Sequence, residues 1–268
     1  MNQPHTAVVT GAARGIGRAV VEALAHDPDG PPQLIAALDA DFTQECRHTR
    51  VGDTRVVEYR ADVADADRVA EIFDQLAATH PPVLKIAHAA GVLHEAALAD
   101  TDLDGFARVM DVNVRGSFVV LRQAARTLGG RRPLSAPGEA GSIAVVSSNA
   151  AAVPRVGMAA YAASKAAAAA LSANAALELA PLGIRCNTIA PGSTDTPMQQ
   201  RMWSGDPEKA RARVVGGTPD RFRLGIPLGR IAEPQDIAEV VLFSLSRRAR
   251  HMTMQDIVVD GGASLRSC

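Results

Sequence analysis

Short apolar segments alternate with longer helical patterns along the chain. The apolar segments that we predict as strands cover residues 7–9, 34–38, 55–60, 83–88, 142–146, 184–189 and 256–259. Helical patterns occur between them at residues 18–26, 66–79, 103–128, 159–180 and 237–247. Strands that are apolar throughout and alternate with helices are typical of a parallel sheet covered on both faces. We therefore predict an α/β fold in one domain, residues 1–268, with a doubly wound parallel sheet of about seven strands and helices on both faces.

The composition excludes several classes of protein. Of the 268 residues, 47% are hydrophobic but only 3% are aromatic, so the predicted core consists mostly of Ala, Val, Leu and Ile. A net charge of -1 offers no basic field to a nucleic acid. The three cysteines are far apart and lack metal-ligand spacing, so we expect neither a metal site nor a disulfide framework. Without a signal-peptide pattern or an apolar run of membrane-spanning length, the sequence predicts a soluble cytoplasmic protein with no membrane partner.

Two segments interrupt the alternation. Gly129 to Gly141 is rich in Gly, Pro and Arg and is predicted to be an exposed loop. Met198 to Leu224 is long, polar and irregular. Long loops between late elements of such a sheet often cover a ligand cleft, so we predict a substrate lid at about residues 196–225. The alternative is a surface excursion without a function.

A glycine-rich segment, T-G-A-A-R-G-I-G at residues 10–17, follows the first strand and opens the first helix. Gly11, Gly15 and Gly17 would let the backbone approach a pyrophosphate, and the N–H groups at the helix N-terminus would bind it. Such a motif is weak evidence by itself, but here it stands in the required strand-to-helix context. We predict a dinucleotide site.

The choice of dinucleotide depends on Asp39, which ends the second predicted strand. A carboxylate at this point accepts hydrogen bonds from the adenosine ribose hydroxyls and repels a 2′-phosphate, which favours NAD over NADP. Arg14 is the counter-argument, because its guanidinium could reach a 2′-phosphate. Asp62 and Val63, after the third predicted strand, are candidates for holding the adenine.

Tyr161 and Lys165 stand four residues apart in Y-A-A-S-K, and Ser148 lies thirteen residues before the tyrosine. Residues at i and i+4 share one face of a helix. A positive charge about 4 Å from the phenol, at an effective dielectric constant of about 20, could lower its pKa by roughly three units. The spacing therefore predicts a tyrosine that acts as a general base near neutral pH. For the Tyr–Lys pair alone, an ordinary amphipathic helix is the simpler interpretation.

Taken together, these motifs resemble the short-chain dehydrogenase/reductase family, whose fold is a Rossmann fold. The resemblance covers nearly the whole chain and includes the glycine segment, Asp62-Val63, Ala89-Ala90-Gly91, Asn113, Ser148, Tyr161, Lys165, Pro191-Gly192 and Thr196, in the family's order and spacing. Ala89 departs from it, because the family usually has Asn there, and the Gly129 to Gly141 loop is longer than usual.

The resemblance implies a role in catalysis or cofactor binding for each of these residues. Tyr161 would be the general base, Lys165 would lower its pKa and bind the nicotinamide ribose, and Ser148 would orient the substrate hydroxyl. Asn113 would hold a water in the proton path, although it could instead serve a helix kink. Thr196 would fix the nicotinamide carboxamide, although it could instead cap a helix. The implied cofactor-binding residues are Gly11, Arg14, Gly15, Ile16, Gly17, Asp39, Asp62, Val63, Ala89, Ala90, Gly91, Tyr161, Lys165, Pro191, Gly192, Thr194 and Thr196.

Later segments resemble a narrower group within the family, the bacterial enzymes that oxidise 2,3-dihydro-2,3-dihydroxybenzoate in catechol siderophore synthesis. The resemblance is carried by residues 39–45, 148–149, 153–155, 185–199, 224–228 and 254–262. It implies a cyclohexadiene carboxylate as substrate, whose carboxylate Arg155 would bind in a two-pronged way. The other predicted substrate-binding residues are Met158, Gln199, Met202 and Trp203.

Three alternatives remain at this point. The nearest is oxidation of the 2-amino analogue, trans-2,3-dihydro-3-hydroxyanthranilate, to 3-hydroxyanthranilate for secondary metabolism. A 3-ketoacyl reductase would prefer NADP, which Asp39 disfavours. A non-catalytic dinucleotide sensor is disfavoured by the intact set of catalytic-type residues. The resemblance also implies a homotetramer, in which the helices at about residues 105–128 and 159–180 pack across an axis.

Overall fold

The computed structural model describes residues 4–129, 140–203 and 205–265. These residues form eight strands and eight α-helices. The strands are β1 Thr6–Thr10, β2 Leu34–Asp39, β3 Cys46–Val51, β4 Thr54–Arg60, β5 Val83–His88, β6 Gly141–Val146, β7 Ile184–Pro191 and β8 Asp256–Val259. The helices are α1 Gly15–Ala25, α2 Ala66–Thr79, α3 Leu103–Met110, α4 Gly116–Gly129, α5 Ala159–Leu179, α6 Pro197–Gln200, α7 Pro207–Gly216 and α8 Pro234–Leu245.

All the strands belong to one sheet, in the order β3-β4-β2-β1-β5-β6-β7-β8. Seven of them run parallel, and β3 pairs antiparallel with β4. The predicted single-domain α/β fold is confirmed, with eight strands where about seven were predicted. The additional strand is β3, an exposed edge strand of sequence C-R-H-T-R-V joined to β4 by a turn at Gly52. Its polar, solvent-facing residues carry no apolar run, so an apolar pattern could not reveal it.

The core lies in two layers, one on each face of the sheet. Helices α1 and α8 pack together on one face, and α2, α4 and α5 cover the other. The central strands β1, β2 and β6 are buried along nearly their whole length. Small and branched aliphatic side chains fill both layers, and Tyr59 and Phe73 are the largest fully buried side chains. This agrees with the Ala- and Val-rich, aromatic-poor core that the composition predicts.

The strand order places a crevice between β1 and β5. The chain moves outward from β1 through β2 to β4 and then returns to the other side of β1 as β5. The loops after β1 and β5 therefore diverge to opposite faces of the sheet. In open parallel sheets, ligands bind at this topological switch point, beyond the carboxyl ends of the strands.

The helical stretch predicted over residues 103–128 is interrupted. Helix α3 passes through one π-helical turn at Asp111–Arg115 before α4 begins at Gly116. A Cβ atom on Gly116 would lie 2.6 Å from Val63 Cγ2, so any larger residue at the start of α4 would displace the Val63 side chain in the loop that follows β4. π-helical turns are rare and often occur at functional sites.

The segment Met198 to Leu224 is less irregular than predicted. It contains most of α6, all of α7 and a short 3₁₀ turn at Pro219–Arg221. The polar composition hid α7, which begins at an Asp206 side chain that accepts hydrogen bonds from the amides of Glu208 and Lys209. The predicted loop Gly129 to Gly141 lies mostly outside the described residues. None of the helices within the described ranges is long and apolar enough to cross a membrane.

Candidate active site

Tyr161 and Lys165 project from the first turns of α5 into one cavity. Both side chains are buried, with 9% and 5% of their surface exposed. Ser148 follows β6 and lines the same cavity, where its hydroxyl acts to lower the pKa of the Tyr161 phenol. We call this space, of about 120 Å³, the inner cavity. The structure thus brings together three of the four predicted catalytic residues, from the end of one strand and one face of a helix.

Lys165 is held from below by the sheet. Its ammonium donates a hydrogen bond of 3.0 Å to the carbonyl oxygen of Val146, and its Nζ lies 5.8 Å from the centroid of the Tyr161 ring. Burial disfavours the charged form and lowers the pKa of Lys165 to about 8. Near neutral pH the ammonium is therefore still charged, but it gives up its proton more readily than a lysine in water.

The pKa of Tyr161 departs from its predicted direction. Burial raises it above its ordinary value, while the hydrogen bond from Ser148 and the charge of Arg155 act in the lowering direction. The raised pKa comes from the loss of hydration of the phenol in the cavity, which outweighs the lowering effects, while the Lys165 ammonium is directed to the Val146 carbonyl. That Lys165 lowers the pKa of this phenol remains a prediction.

Asn113 lies in the π-helical turn, close to Lys165 but outside the lining of the inner cavity. Its side chain pairs with the backbone of Val92 in both directions: Oδ1 accepts from the amide at 2.8 Å, and Nδ2 donates to the carbonyl at 2.9 Å. Nδ2 also donates to Ser164 Oγ on α5. The side chain therefore fixes the loop after β5 against α5, which is the helix-kink alternative considered for this residue. Its predicted water-binding role remains a prediction.

A chain of hydrogen bonds runs beneath the site through the buried His88. The Ala90 amide donates to Thr10 Oγ1, which lies 2.7 Å from His88 Nδ1. His88 Nε2 lies 3.0 Å from Ser117 Oγ, and that hydroxyl donates to the Asn113 carbonyl. Because the single Ser117 hydrogen is used there, Nε2 carries the ring proton and Nδ1 accepts from Thr10. Burial, with a smaller effect of Lys165, lowers the His88 pKa to about 3 and keeps the ring neutral.

The glycine loop has the close backbone approaches that a dinucleotide site requires. A Cβ on Gly17 would lie 2.0 Å from the Gly11 carbonyl oxygen, and one on Gly11 would lie 2.7 Å from the Ala90 amide nitrogen. Gly11 and Gly15 also have positive φ angles of 68° and 56°. Ile16 lines the inner cavity, and a Cβ on Gly15 would contact Thr196. The loop is therefore packed against both the β5 loop and the β7 loop.

The carboxylate of Asp39 is fixed at the end of β2 beside this loop. Its oxygens accept hydrogen bonds from the amides of Ala13 and Asp41, each at 2.9 Å. Arg14 forms an ion pair with Asp41. Arg14, which could have favoured NADP by binding a 2′-phosphate, is therefore already paired with a carboxylate. The summed charge of Arg14, Asp39 and Asp41 is negative.

The remaining predicted cofactor residues divide into two groups. Those that line the inner cavity are Ala89, Gly91, Pro191, Gly192, Thr194 and Thr196. Thr196 also caps α6, since its Oγ1 accepts from the Gln199 amide at 3.3 Å. Ala90 lies between Ala89 and Gly91 beside the glycine loop. Asp62 and Val63 lie farther out, where Asp62 accepts from the Ala64 amide and Val63 packs against Gly116.

A second, larger cavity adjoins the inner one. It has a volume of about 340 Å³, within the range of about 300–1,000 Å³ that small-molecule pockets occupy. We call it the outer cavity. The five predicted substrate residues all line it: Arg155, Met158, Gln199, Met202 and Trp203. All of these except Trp203 also line the inner cavity, so the two spaces are continuous at these side chains.

The structure also places residues at the site that the sequence did not single out as site residues. Arg223 lines both cavities. Asn149 accepts a hydrogen bond of 2.8 Å from Arg155, and its amide donates to Asp260 and Ser264 near the C-terminus. The sequence did contain a signal for these residues. The segments that carry the narrower resemblance include Asn149 and Asp260, and one of them begins directly after Arg223.

A doubly wound sheet with a glycine loop at its switch point and a buried Ser–Tyr–Lys cavity defines a nicotinamide-dinucleotide oxidoreductase of the short-chain type. A family model described as enoyl-(acyl carrier protein) reductase matches residues 11–264. The aldohexose dehydrogenase of Thermoplasma acidophilum, in ligand-free form, superposes with a TM-score of 0.81 at 26% identity, over 99% of this chain and 96% of that one. The chain belongs to the short-chain dehydrogenase/reductase family.

Relatives with assigned activities match over nearly the same length. The 2,3-dihydro-2,3-dihydroxybenzoate dehydrogenase of Escherichia coli is 42% identical over 96% of both chains. The vibriobactin-specific 2,3-dihydro-2,3-dihydroxybenzoate dehydrogenase of Vibrio cholerae is 37% identical over 96% of this chain and 95% of its own. The resemblance to this narrower group is therefore confirmed.

Proposed function

We propose that the protein oxidises 2,3-dihydro-2,3-dihydroxybenzoate to 2,3-dihydroxybenzoate with NAD as acceptor. The observation that carries the proposal is the position of Arg155, whose guanidinium lies where the outer cavity opens into the Ser148–Tyr161 cavity. A substrate whose carboxylate binds this arginine can extend its ring and hydroxyl toward Tyr161. The names of the E. coli and V. cholerae relatives support the same substrate.

The residues around the glycine loop fit a dinucleotide. Gly11 and Gly17 allow the close backbone packing that shapes the loop, and the N-terminus of α1 offers free amides to a pyrophosphate. When bound, the cofactor supplies the hydride acceptor for the carbinol carbon. The inner-cavity lining at Pro191, Thr194 and Thr196 would hold the nicotinamide end.

NAD, and not NADP, is the cofactor that the charges favour. Asp39 and Asp41 place two carboxylates beside one guanidinium, and the Arg14 guanidinium is already paired with Asp41. A 2′-phosphate here would meet a net negative field. Asp62 and Val63, on the neighbouring strand end, are proposed to border the adenine.

The chain's own residues supply the proton chemistry. Tyr161 takes the proton of the substrate hydroxyl, and Ser148 orients that hydroxyl by a hydrogen bond while the carbonyl forms. Lys165 places a positive charge beneath the ring and stabilises the phenolate as it develops. Asn113 fixes the loop at Val92 above Lys165 and is proposed to hold a water that continues the proton path. The ketone then tautomerises to an aromatic ring, which draws the reaction toward oxidation.

Residues 196–225 are proposed as a substrate lid. The outer cavity is lined from both parts of this segment. Its first part, in and directly after α6, contributes Gln199, Met202 and Trp203, and its later part contributes Val214 and Arg223. The segment thus forms one wall of the space in which the substrate would bind. Closing it would exclude water from the reacting atoms.

The oligomeric state and cellular setting are proposed by family resemblance. Three helices expose large apolar side chains to solvent: Phe106 on α3, Phe118 on α4 and Leu177 on α5. These side chains support burial of the three helices in a homotetramer. We place the enzyme in the cytoplasm, in the synthesis of a catechol siderophore.

The test is the appearance of NADH absorbance with purified protein, NAD and one of two dihydro-acids. Rapid turnover of the dihydrodiol is expected. Preference for trans-2,3-dihydro-3-hydroxyanthranilate would instead assign the 2-amino substrate, with the same catalytic residues. Turnover of neither substrate, by protein that binds NAD, would overturn the proposal.

A further inference from the structure

Two arginines from distant parts of the chain meet at the junction of the two cavities. Arg155 follows β6, and Arg223 lies near the end of residues 196–225. They belong to the small set of residues that line both the inner and the outer cavity. The charge of Arg223 also lowers the pKa of Arg155, in keeping with two side chains that line the same cavities.

Both guanidiniums are half-buried, and the hydrogen bonds of both are to neutral groups. Arg155 donates to Asn149 Oδ1 at 2.8 Å, and Arg223 donates to Ser193 Oγ at 2.8 Å. Across the described ranges 4–129, 140–203 and 205–265, neither is within ion-pair distance of a carboxylate. Burying two like charges without a counter-charge is costly, so this arrangement calls for an anion.

The acidic groups nearest to the pair are engaged elsewhere. Asp260, which acts on Arg155 at longer range, accepts hydrogen bonds from Asn149, Gly262 and Ser264. Glu95, which acts on Arg223, forms an ion pair of 3.3 Å with Arg221. These carboxylates therefore do not fill the position between the two guanidiniums.

We propose that Arg223 binds the substrate's carboxylate together with Arg155, so that a pair of guanidiniums selects carboxylated rings. This inference rests on the proposed function and adds a second, lid-borne arginine to it. The site is built for a planar anion, because each guanidinium can present two parallel N–H groups to a carboxylate. The ring then lies between the arginine pair and the Ser148–Tyr161 hydroxyls.

The alternative is that Arg223 only anchors the lid. Its hydrogen bond to Ser193 ties the end of the lid to the residue after Gly192, in the loop that follows β7. A purely anchoring arginine would affect charged and uncharged ligands alike. A carboxylate-binding arginine affects charged ligands selectively, and this difference decides between the two roles.

A binding experiment tests the inference without requiring turnover. Cyclohexanecarboxylate and the neutral cyclohexanecarboxamide have the same ring and are titrated calorimetrically into the full-length protein with NAD present. Trp203, the single tryptophan of the chain, lines the outer cavity and gives a second readout by fluorescence. Wild-type protein is expected to bind the carboxylate at least about 10-fold more tightly than the carboxamide, as a charged hydrogen-bonded pair implies.

The Arg223→Gln variant is expected to lose most of that discrimination while carboxamide binding stays within about 2-fold. Arg223→Lys keeps the positive charge but loses the paired N–H groups of the guanidinium, so this variant should retain part of the preference for the carboxylate. Arg230→Gln removes the same charge from an ion pair with Asp236, at a residue that lines neither cavity, and should behave as wild type. Thermal melts of each variant confirm folding.

Two results would overturn the inference. In one, the Arg223→Gln variant still binds the carboxylate in preference to the carboxamide as wild type does. In the other, the substitution weakens binding of both ligands equally. A wild-type protein that discriminates through Arg223 but does not turn over the dihydrodiol would reject the proposed function and leave the anion site standing. The two proposals can therefore fail separately.

Discussion

The Arg155 guanidinium and the Asn149 side-chain oxygen are joined by a hydrogen bond of 2.8 Å at the junction of the two cavities. This bond fixes the orientation of the amide, because the Asn149 nitrogen must then face Asp260 and Ser264, to which it donates. Asp260 lies directly after β8, the last strand of the sheet. The arginine proposed to bind substrate is thus held in place by the C-terminal part of the chain.

Asn149→Ala removes this support while leaving Arg155 in the chain. We expect the KM for the carboxylated substrate to rise about 10-fold or more, the loss of one hydrogen bond to a charged group, with kcat within about 2-fold. Steady-state kinetics with NAD at saturation measure both constants. Asn149→Asp keeps an acceptor but partly neutralises Arg155, so its KM should rise further. A fall in kcat with unchanged KM would contradict the positioning role.

Much of the fold was predictable because buried parallel strands and amphipathic helices leave periodic apolar patterns. The predicted bounds of α2, β5 and β8 agree with the structure at both ends. β3 was not predictable in this way, because an edge strand exposed to solvent needs no apolar residues. Nor was α7, whose buried contacts reduce to Ala210 and Val214.

The site was predictable where chemistry is local in sequence. The i, i+4 spacing of Tyr161 and Lys165 places both on one face of α5. The direction of the Tyr161 pKa was not predictable, because burial depends on the whole cavity wall. Arg223 was missed for a similar reason: it lines the same cavities as Arg155 only after the chain has folded, and the only sequence signal for it was the segment that begins at the next residue.

Replacing the proposed base tests the core of the mechanism. Tyr161→Phe removes the phenol oxygen from a buried site and keeps the ring that packs over Lys165. Because a positioned acid or base contributes about 10²- to 10⁴-fold, we expect kcat to fall by at least about 100-fold. The dissociation constant for NAD, measured calorimetrically, should change by less than about 3-fold. Turnover near the wild-type rate would reject Tyr161 as the base.

Cofactor preference is expected to follow the charges at the end of β2. Asp39→Ser removes the carboxylate that would face a 2′-phosphate, and kcat/KM with NADP should rise about 10-fold or more while that with NAD falls. Asp41→Asn frees Arg14 from its ion pair and should raise kcat/KM with NADP by a smaller factor.

The matched control for these two variants is Asp74→Asn, an exposed carboxylate on α2, which should change neither constant. Initial rates over a range of each dinucleotide give the ratios. A wild-type enzyme that already prefers NADP would show that the Asp39 carboxylate does not set the choice.

The depressed pKa of Lys165 predicts a pH dependence of stability with a definite sign. Its pKa is about 8 in the folded protein and about 10.5 otherwise, so between these values the unfolded chain binds more protons than the folded one. The free energy of unfolding therefore gains a contribution that rises with pH across this window. From pH 7 to pH 10 we expect wild-type protein to gain about 2–3 kcal/mol relative to Lys165→Met.

Taking the difference between the two proteins is essential to this measurement. Burial raises the pKa of Cys186 to about 11, from an ordinary value of 9.0, which makes stability fall over part of the same range. That contribution is common to wild type and Lys165→Met and cancels when their urea denaturation curves are subtracted at each pH. A difference that stays constant from pH 7 to pH 10 would mean that Lys165 keeps its ordinary pKa, and that the cavity is better hydrated than its burial implies.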